Sequence, residues 1–279
     1  MTVLSEQKID CHCHVLDPGH YPYRDDVKYR PSGQEIGTAL QFRALCDAYR
    51  VDHALLVGPN SGYGEDNRCL LDVIARNGGR YKGIAVVPND ASEAYLADLK
   101  KQGVVGIAFN ATYHGVDYYL NTQPLIARLA RLDLFLQLQG EGNQLASLIR
   151  LVGNADVKIL VDHCGRPDLE LGPLQPGFAA LCAMGRSGRA AVKLSGLAKY
   201  SRTAFPYEDA WPYVRALVDS FGLDRCLWGS DWPFLRAPER LDYGPLLSIV
   251  DRLFPDSQDR RKLLWETPMR LFGFGRPAA

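Results

Sequence analysis

Short runs of β-branched and other apolar residues alternate along the whole chain with longer amphipathic stretches. The runs predict eight strands, over residues 8–13, 53–57, 83–87, 104–109, 134–138, 157–161, 190–194 and 226–228. Several are almost wholly apolar, as strands covered on both faces of a parallel sheet must be. Between them, Leu145, Leu148, Ile149 and Val152 recur at helical spacing before Gly153, and Val214, Leu217, Val218 and Phe221 do so before Gly222. Ser92 is placed to cap a helix that carries Leu96 and Leu99 inward and stops at Gly103. Eight such units predict an α/β protein, a single-domain (β/α)8 TIM barrel over residues 1–279. An open doubly wound sheet is the other arrangement this alternation allows.

Two longer stretches interrupt the rhythm. Residues 17–37 follow the first strand and residues 110–121 the fourth, and both are expected as loops over the functional rim of a barrel. Composition narrows the partner. Thirty-two basic residues balance thirty-two acidic ones among 279. With no dense basic block, nucleic acid is not the expected ligand, and a small molecule is. No run approaches the length of a membrane span, and residues 1–8 lack the apolar core of a secretory signal. Seven scattered cysteines do not form a disulfide framework, so a reducing, cytoplasmic setting is expected. Nothing in the chain specifies an oligomeric state.

His12 and His14 lie two apart at the end of the first predicted strand. Strand alternation places both imidazoles on one face, with Cys11 and Cys13 on the other. His163 ends the sixth strand in Val-Asp-His-Cys-Gly-Arg-Pro, and Asp231 follows the eighth in Gly-Ser-Asp-Trp-Pro. Each alone is what a helix cap, a turn or a satisfied buried polar group would also supply. In a barrel, however, the ends of strands one, six and eight converge on one rim. That convergence makes the set far more specific than any member.

This order of motifs resembles the amidohydrolase superfamily, and within it the amidohydrolase-2 branch that includes pyrone-dicarboxylate and sugar-acid lactonases. The late run Thr267-Pro268-Met269-Arg270-Leu271-Phe272 extends the resemblance over nearly the whole chain. It implies a (β/α)8 barrel that hydrolyses a small molecule, commonly a lactone. By the same resemblance, His12, His14, His163 and Asp231 are the catalytic residues, and they are also the ligands if a metal is bound. Arg166 matches an arginine that binds a substrate carboxylate. The chain departs from the pyrone-dicarboxylate pattern at Ala108, where that pattern has an arginine. His114 stands at another basic position, and only Lys199, Tyr200 and Arg202 lie near a third. The fifth strand ends in Gln137-Leu138-Gln139, and amides are poor zinc ligands. The expected cofactor is therefore either none or one divalent metal, zinc being possible.

The expected activity is ring opening of a small acidic lactone by activated water. Asp231 would be the general base, and the histidines would stabilise the oxyanion. Arg166, His114, Tyr21, Tyr23 and Tyr200 are the candidates for substrate contact. The alternative is a metal-dependent, non-oxidative decarboxylase of the same superfamily, which would release carbon dioxide without adding water.

Overall fold

A computed structural model describes residues 2–275. Eight parallel strands follow one another in chain order: β1 Lys8–Cys13, β2 Val51–Val57, β3 Tyr81–Ala85, β4 Val104–Asn110, β5 Phe135–Gln139, β6 Lys158–Val161, β7 Ala190–Lys193 and β8 Cys226–Leu227. The two edges meet through backbone bonds. Cys11 N–H donates to Trp228 O at 3.0 Å, His14 N–H to Trp232 O at 2.7 Å and Asp231 N–H to His12 O at 2.7 Å. The sheet is thus a barrel, with helices from Ala39–Tyr49 to Tyr243–Leu253 packed around it. It is a single-domain TIM barrel rather than an open sheet. No helix among the described residues is long and apolar enough to cross a membrane.

The expected stop signals operate. Gly153 and Gly222 follow the helices Gln144–Val152 and Trp211–Phe221 with φ of 57° and 69°, a region glycine enters without steric cost. Ser92 Oγ accepts from Tyr95 N–H at 3.2 Å and caps Glu93–Lys101. Some limits move. Strand β3 begins two residues before the expected start and ends at Ala85, because the Asn67 side chain occupies both backbone groups of Val86 in place of a neighbouring strand. Residues 110–121 are not plain loop: Asn110 Oδ1 caps a helical turn, Ala111–His114, and a second turn follows at Asp117–Tyr119.

Two apolar clusters form the core. The larger lies between strands and helices. The smaller fills the lower barrel with Ile9, Cys11, Leu55, Ile84, Leu160 and Leu227, and the C-terminal Phe272 and Phe274 seal it from below. Burying each such side chain contributes about 1.5–3 kcal/mol. Cys13 faces the helices, as alternation requires, but Cys11 faces the interior with His12. A register irregularity between Asp10 and Cys13 breaks the alternation there and overturns the expected facing of Cys11. Above this layer the interior turns polar.

Candidate active site

His12, His14, His163 and Asp231 come together at the C-terminal ends of β1, β6 and β8. All three Nε2 atoms face the same oxygen, Asp231 Oδ1, at 3.6 Å from His12, 3.4 Å from His14 and 3.8 Å from His163. The second oxygen, Oδ2, lies 2.9 Å from Lys199 Nζ. All four residues of the cluster are buried. The remaining ring nitrogens are anchored. His14 Nδ1 lies 2.7 Å from Val57 O and must donate, since a carbonyl only accepts; His163 Nδ1 lies 3.0 Å from Ser195 Oγ.

The backbone bends sharply to present these groups. His163 and Asp231 have φ of 49° and 63°, in the left-handed region that non-glycine residues occupy at a cost of roughly 1–2 kcal/mol. Asp10 holds the β8 turn in place. Its carboxyl accepts from Ser230 N–H at 2.9 Å, Ser230 Oγ–H at 2.6 Å, Tyr243 O–H at 3.0 Å and His12 N–H at 3.2 Å. Burial nonetheless raises its pKa to about 6, against the pull of those donors. Close approach dictates two glycines. A Cβ on Gly229 would lie 2.7 Å from His12, and one on Gly196, whose φ is already 66°, would lie 2.8 Å from His163 Nδ1.

Beneath the histidines lies a charged network that the motif reading overlooked. The Lys193 ammonium, wholly buried, donates to Gln137 Oε1 at 2.6 Å and lies 3.0 Å from both Asp162 Oδ1 and His12 Nδ1. Gln137 Nε2 closes the ring by donating to Asp162 Oδ2 at 2.8 Å. His12 Nδ1 is also 3.2 Å from Asp162 Oδ1. These contacts define two tautomers. When Nδ1–H donates to Asp162, Nε2 is a free lone pair; when Nδ1 accepts from Lys193, Nε2 carries the proton.

Electrostatics keep the carboxylates charged and two of the imidazoles neutral. Burial works against the Asp231 charge, but Lys199, then His163 and the His14 contact, outweigh it and hold its carboxyl well below the usual range. For Asp162, Lys193 and His12 likewise outweigh burial. Burial, reinforced by Lys193 and opposed by Asp162, lowers His12 to about 4. Burial drives His163 well below its ordinary value as well, despite Asp231.

The cluster forms the floor of a cavity of about 320 Å³, large enough for a small ring. Arg166 lines its wall, with Nη2 3.2 Å from Glu141 Oε2. The other expected contact residues lie outside that wall, each occupied elsewhere. Tyr23 packs on Gly62 and the Tyr63 ring, while Tyr21 sits against the helix Arg68–Arg76 near Asp72. The Tyr200 hydroxyl is buried against Cys164. His114 stacks on Tyr118 and meets the cavity wall through Tyr113, against whose ring it packs edge-on, and through Asn60, whose Oδ1 is 3.0 Å from its Nε2.

A divalent ion fits this donor set. With Nδ1–H given to Val57 O, His14 turns its Nε2 to Asp231 Oδ1 at 3.4 Å. The ligand atoms of His12, His14 and Asp231 all lie within 4.8 Å of one another. Their 3.4–3.6 Å contacts with Asp231 approach the roughly 3.3–3.4 Å edge of a tetrahedron with zinc-like bonds of about 2.0–2.1 Å. A second group, His12, Asp162 and His163, also has ligand spacing, but there the Lys193 ammonium already sits against Asp162.

A barrel with paired histidines on β1, a histidine after β6 and an aspartate after β8 defines a hydrolase of the amidohydrolase class. The chain belongs to the Amidohydrolase family, whose profile matches residues 9–274. It is 32% identical over 272 residues to 4-sulfomuconolactone hydrolase of Rhizobium radiobacter, covering 95% of this chain and 89% of that one. To 2-pyrone-4,6-dicarboxylate hydrolase of Comamonas testosteroni it is 29% identical over 277 residues, covering 95% and 89%. A solved structure from Pseudomonas putida, assigned as a 2-pyrone-4,6-dicarboxylic acid hydrolase, is 27% identical and superposes with a TM-score of 0.82 over 96% of this chain and 98% of that one. A zinc-bound amidohydrolase from Burkholderia multivorans, 20% identical, shares the fold with a TM-score of 0.71 over 97% and 100%.

Proposed function

We propose that this protein hydrolyses a small acidic lactone. The observation that carries the reading is the convergence of three imidazoles and Lys199 on Asp231 in the floor of a ring-sized cavity. The relatives support it: the curated ones are hydrolases of sulfomuconolactone, pyrone dicarboxylate and fuconolactone. A decarboxylase from Rhizobium shares only the fold, at 15% identity. Seven unpaired thiols support a reducing compartment, the cytoplasm.

In this reading a water beside Asp231 attacks the lactone carbonyl. Asp231 takes the proton and returns it to the ring oxygen as the ring carbon–oxygen bond breaks; the new carboxylic acid then loses its own proton to solvent, leaving a carboxylate and a hydroxyl. A carboxylate held so acidic is a poor base in the resting site. It becomes competent as the water bonds to carbon and its own acidity rises. Neutral imidazole N–H groups donate to the forming oxyanion without having to give up a charge. The Nε2–H tautomer of His12, set by Lys193, is one such donor. Arg166 binds a carboxylate of the substrate in exchange for Glu141. A divalent ion bound by His12, His14 and Asp231, with His163 beside them, would supply Lewis-acid polarisation of the carbonyl and a more acidic water.

The test is a panel of lactones assayed with a pH indicator, since ring opening releases one proton per turnover. Acid release from an anionic lactone is expected, with the hydroxy acid as product. Carbon dioxide release without net hydration would overturn the reading. Repeating the panel after chelation separates activity carried by side chains from activity that needs an ion.

A further inference from the structure

The surroundings of His12 do not serve its two tautomers equally. A neutral imidazole carries one proton, and burial, with Lys193 beside it, keeps His12 neutral. The Lys193 ammonium has three N–H groups, no lone pair and no exposure to water. Three atoms face it at hydrogen-bond distance: Gln137 Oε1 at 2.6 Å, Asp162 Oδ1 at 3.0 Å and His12 Nδ1 at 3.0 Å. With the His12 proton on Nε2, all three accept and the ammonium is satisfied. Asp162 is satisfied too, since Gln137 Nε2 donates to its other oxygen at 2.8 Å. With the proton on Nδ1, one N–H of the ammonium loses its acceptor in a place water does not reach, which is the costly way to break a hydrogen bond. The far side of the ring agrees. Nε2 faces Asp231 Oδ1 at 3.6 Å, where a proton meets a carboxylate and a lone pair is repelled.

We propose that Lys193 is a positioning residue that sets the affinity of this site for a divalent ion through the tautomer of His12. Only a lone pair can ligate an ion, and Lys193 holds the one on His12 at Nδ1, turned away from His14 and Asp231. For His12 to join those two as a ligand, its proton must move to Nδ1 and turn to Asp162 Oδ1, 3.2 Å away, and Lys193 must give up a hydrogen bond. Lys193 and Asp162 thus pull one ring in opposite directions. The ammonium favours a hydrogen-bond donor in the cavity floor, and the carboxylate favours a ligand. The part Lys193 plays in turnover rests on the lactonase reading above, in which His12 donates to the oxyanion; its hold on the tautomer does not.

Nitrogen-15 NMR of the histidine rings tells a protonated ring nitrogen from a bare one, and His12→Gln assigns the His12 signals by their loss. In chelator-treated wild type the proton is expected on Nε2, and after zinc is added on Nδ1. A proton on Nδ1 before zinc overturns the proposal, whatever the variants do. Lys193→Met should carry the proton on Nδ1 without zinc and bind zinc about tenfold to a hundredfold more tightly, read by competition with a chromophoric chelator. Asp162→Asn should keep it on Nε2 and bind zinc more weakly by a similar factor. If Lys193→Met does not fold, Lys193→Met/Asp162→Asn compared with Asp162→Asn reads the same gain. Tighter binding with the proton still on Nε2 would be relief of charge repulsion alone and overturns the proposal, as does weaker binding in both single variants. With lactones, Lys193→Met should lower kcat and leave KM nearly unchanged. If the wild type opens no lactone while the ring signals and zinc affinities follow this pattern, the lactonase reading fails and the positioning role stands.

Discussion

Replacing Lys193 by methionine removes an ammonium from the centre of the barrel while keeping most of the side chain's bulk. Asp162 then has His12 and Gln137 beside it but no permanent cation, in a place that water does not reach. Breaking a buried ion pair by removing one partner costs about 3–5 kcal/mol, because the other charge is left uncompensated. For a chain of this size that is a fall in Tm of about 5–9 °C. The pH dependence follows from sign. In the wild type the Asp162 carboxyl is held below its ordinary value, so its contribution is present above the unfolded pKa and lost as pH falls through the folded one. In Lys193→Met burial is no longer outweighed and the shift reverses. The penalty is then largest at high pH and is relieved as acid protonates Asp162. The Tm gap between variant and wild type should accordingly narrow from pH 8 to pH 5. Lys193→Met/Asp162→Asn should recover most of the loss, which a double-mutant cycle by thermal and urea denaturation measures directly. A single-variant loss under about 1 kcal/mol, or a double variant no more stable than the single, would refute the view that the pair is mutually dependent.

Asp231→Asn keeps the shape but loses the basicity, and turnover should fall at least about a hundredfold in folded protein; near-wild-type turnover would remove it from the base role. Arg166→Met should lower kcat/KM for anionic lactones by roughly tenfold to a hundredfold, and Glu141→Gln should lower KM for the same lactones by freeing the guanidinium. Steady-state kinetics reads both, and equal loss on neutral lactones would assign Arg166 to the scaffold. Gly196→Ala meets a positive φ and the His163 ring at once, so a stability loss of roughly 1–2 kcal/mol should come with a drop in kcat. A change in stability alone would show that the His163 ring does not need its present place.

The barrel was legible because its strands are short apolar runs at even spacing, which two covered faces demand. The four polar residues of the site were legible as a set because strand ends of a barrel share a rim. Lys193 was not. In Ala-Ala-Val-Lys a lysine reads as the solvated end of a strand, and only the closed barrel brings Asp162 and Gln137 across to it. Asp10 escaped for a related reason: strict alternation would put it with His12, but the irregularity in β1 turns it outward to Ser230 and Tyr243. Such a break depends on the partner strands, not on the residues that bear it. The tyrosines misled because packing and ligand contact select the same side chain; Tyr23 and Tyr200 are held by neighbours that local sequence does not reveal.

The aromatic seal at the foot of the barrel has a bearing on descent. Phe272 and Phe274 close the apolar layer at the end opposite Asp231, and neither lines the cavity. Substitutions on the rim, away from His163 and Asp231, can therefore accumulate and be sorted by selection without loosening the sealed end. A lineage built this way can trade one lactone for another through a few rim side chains, while the sealed end passes almost unaltered from ancestor to descendant.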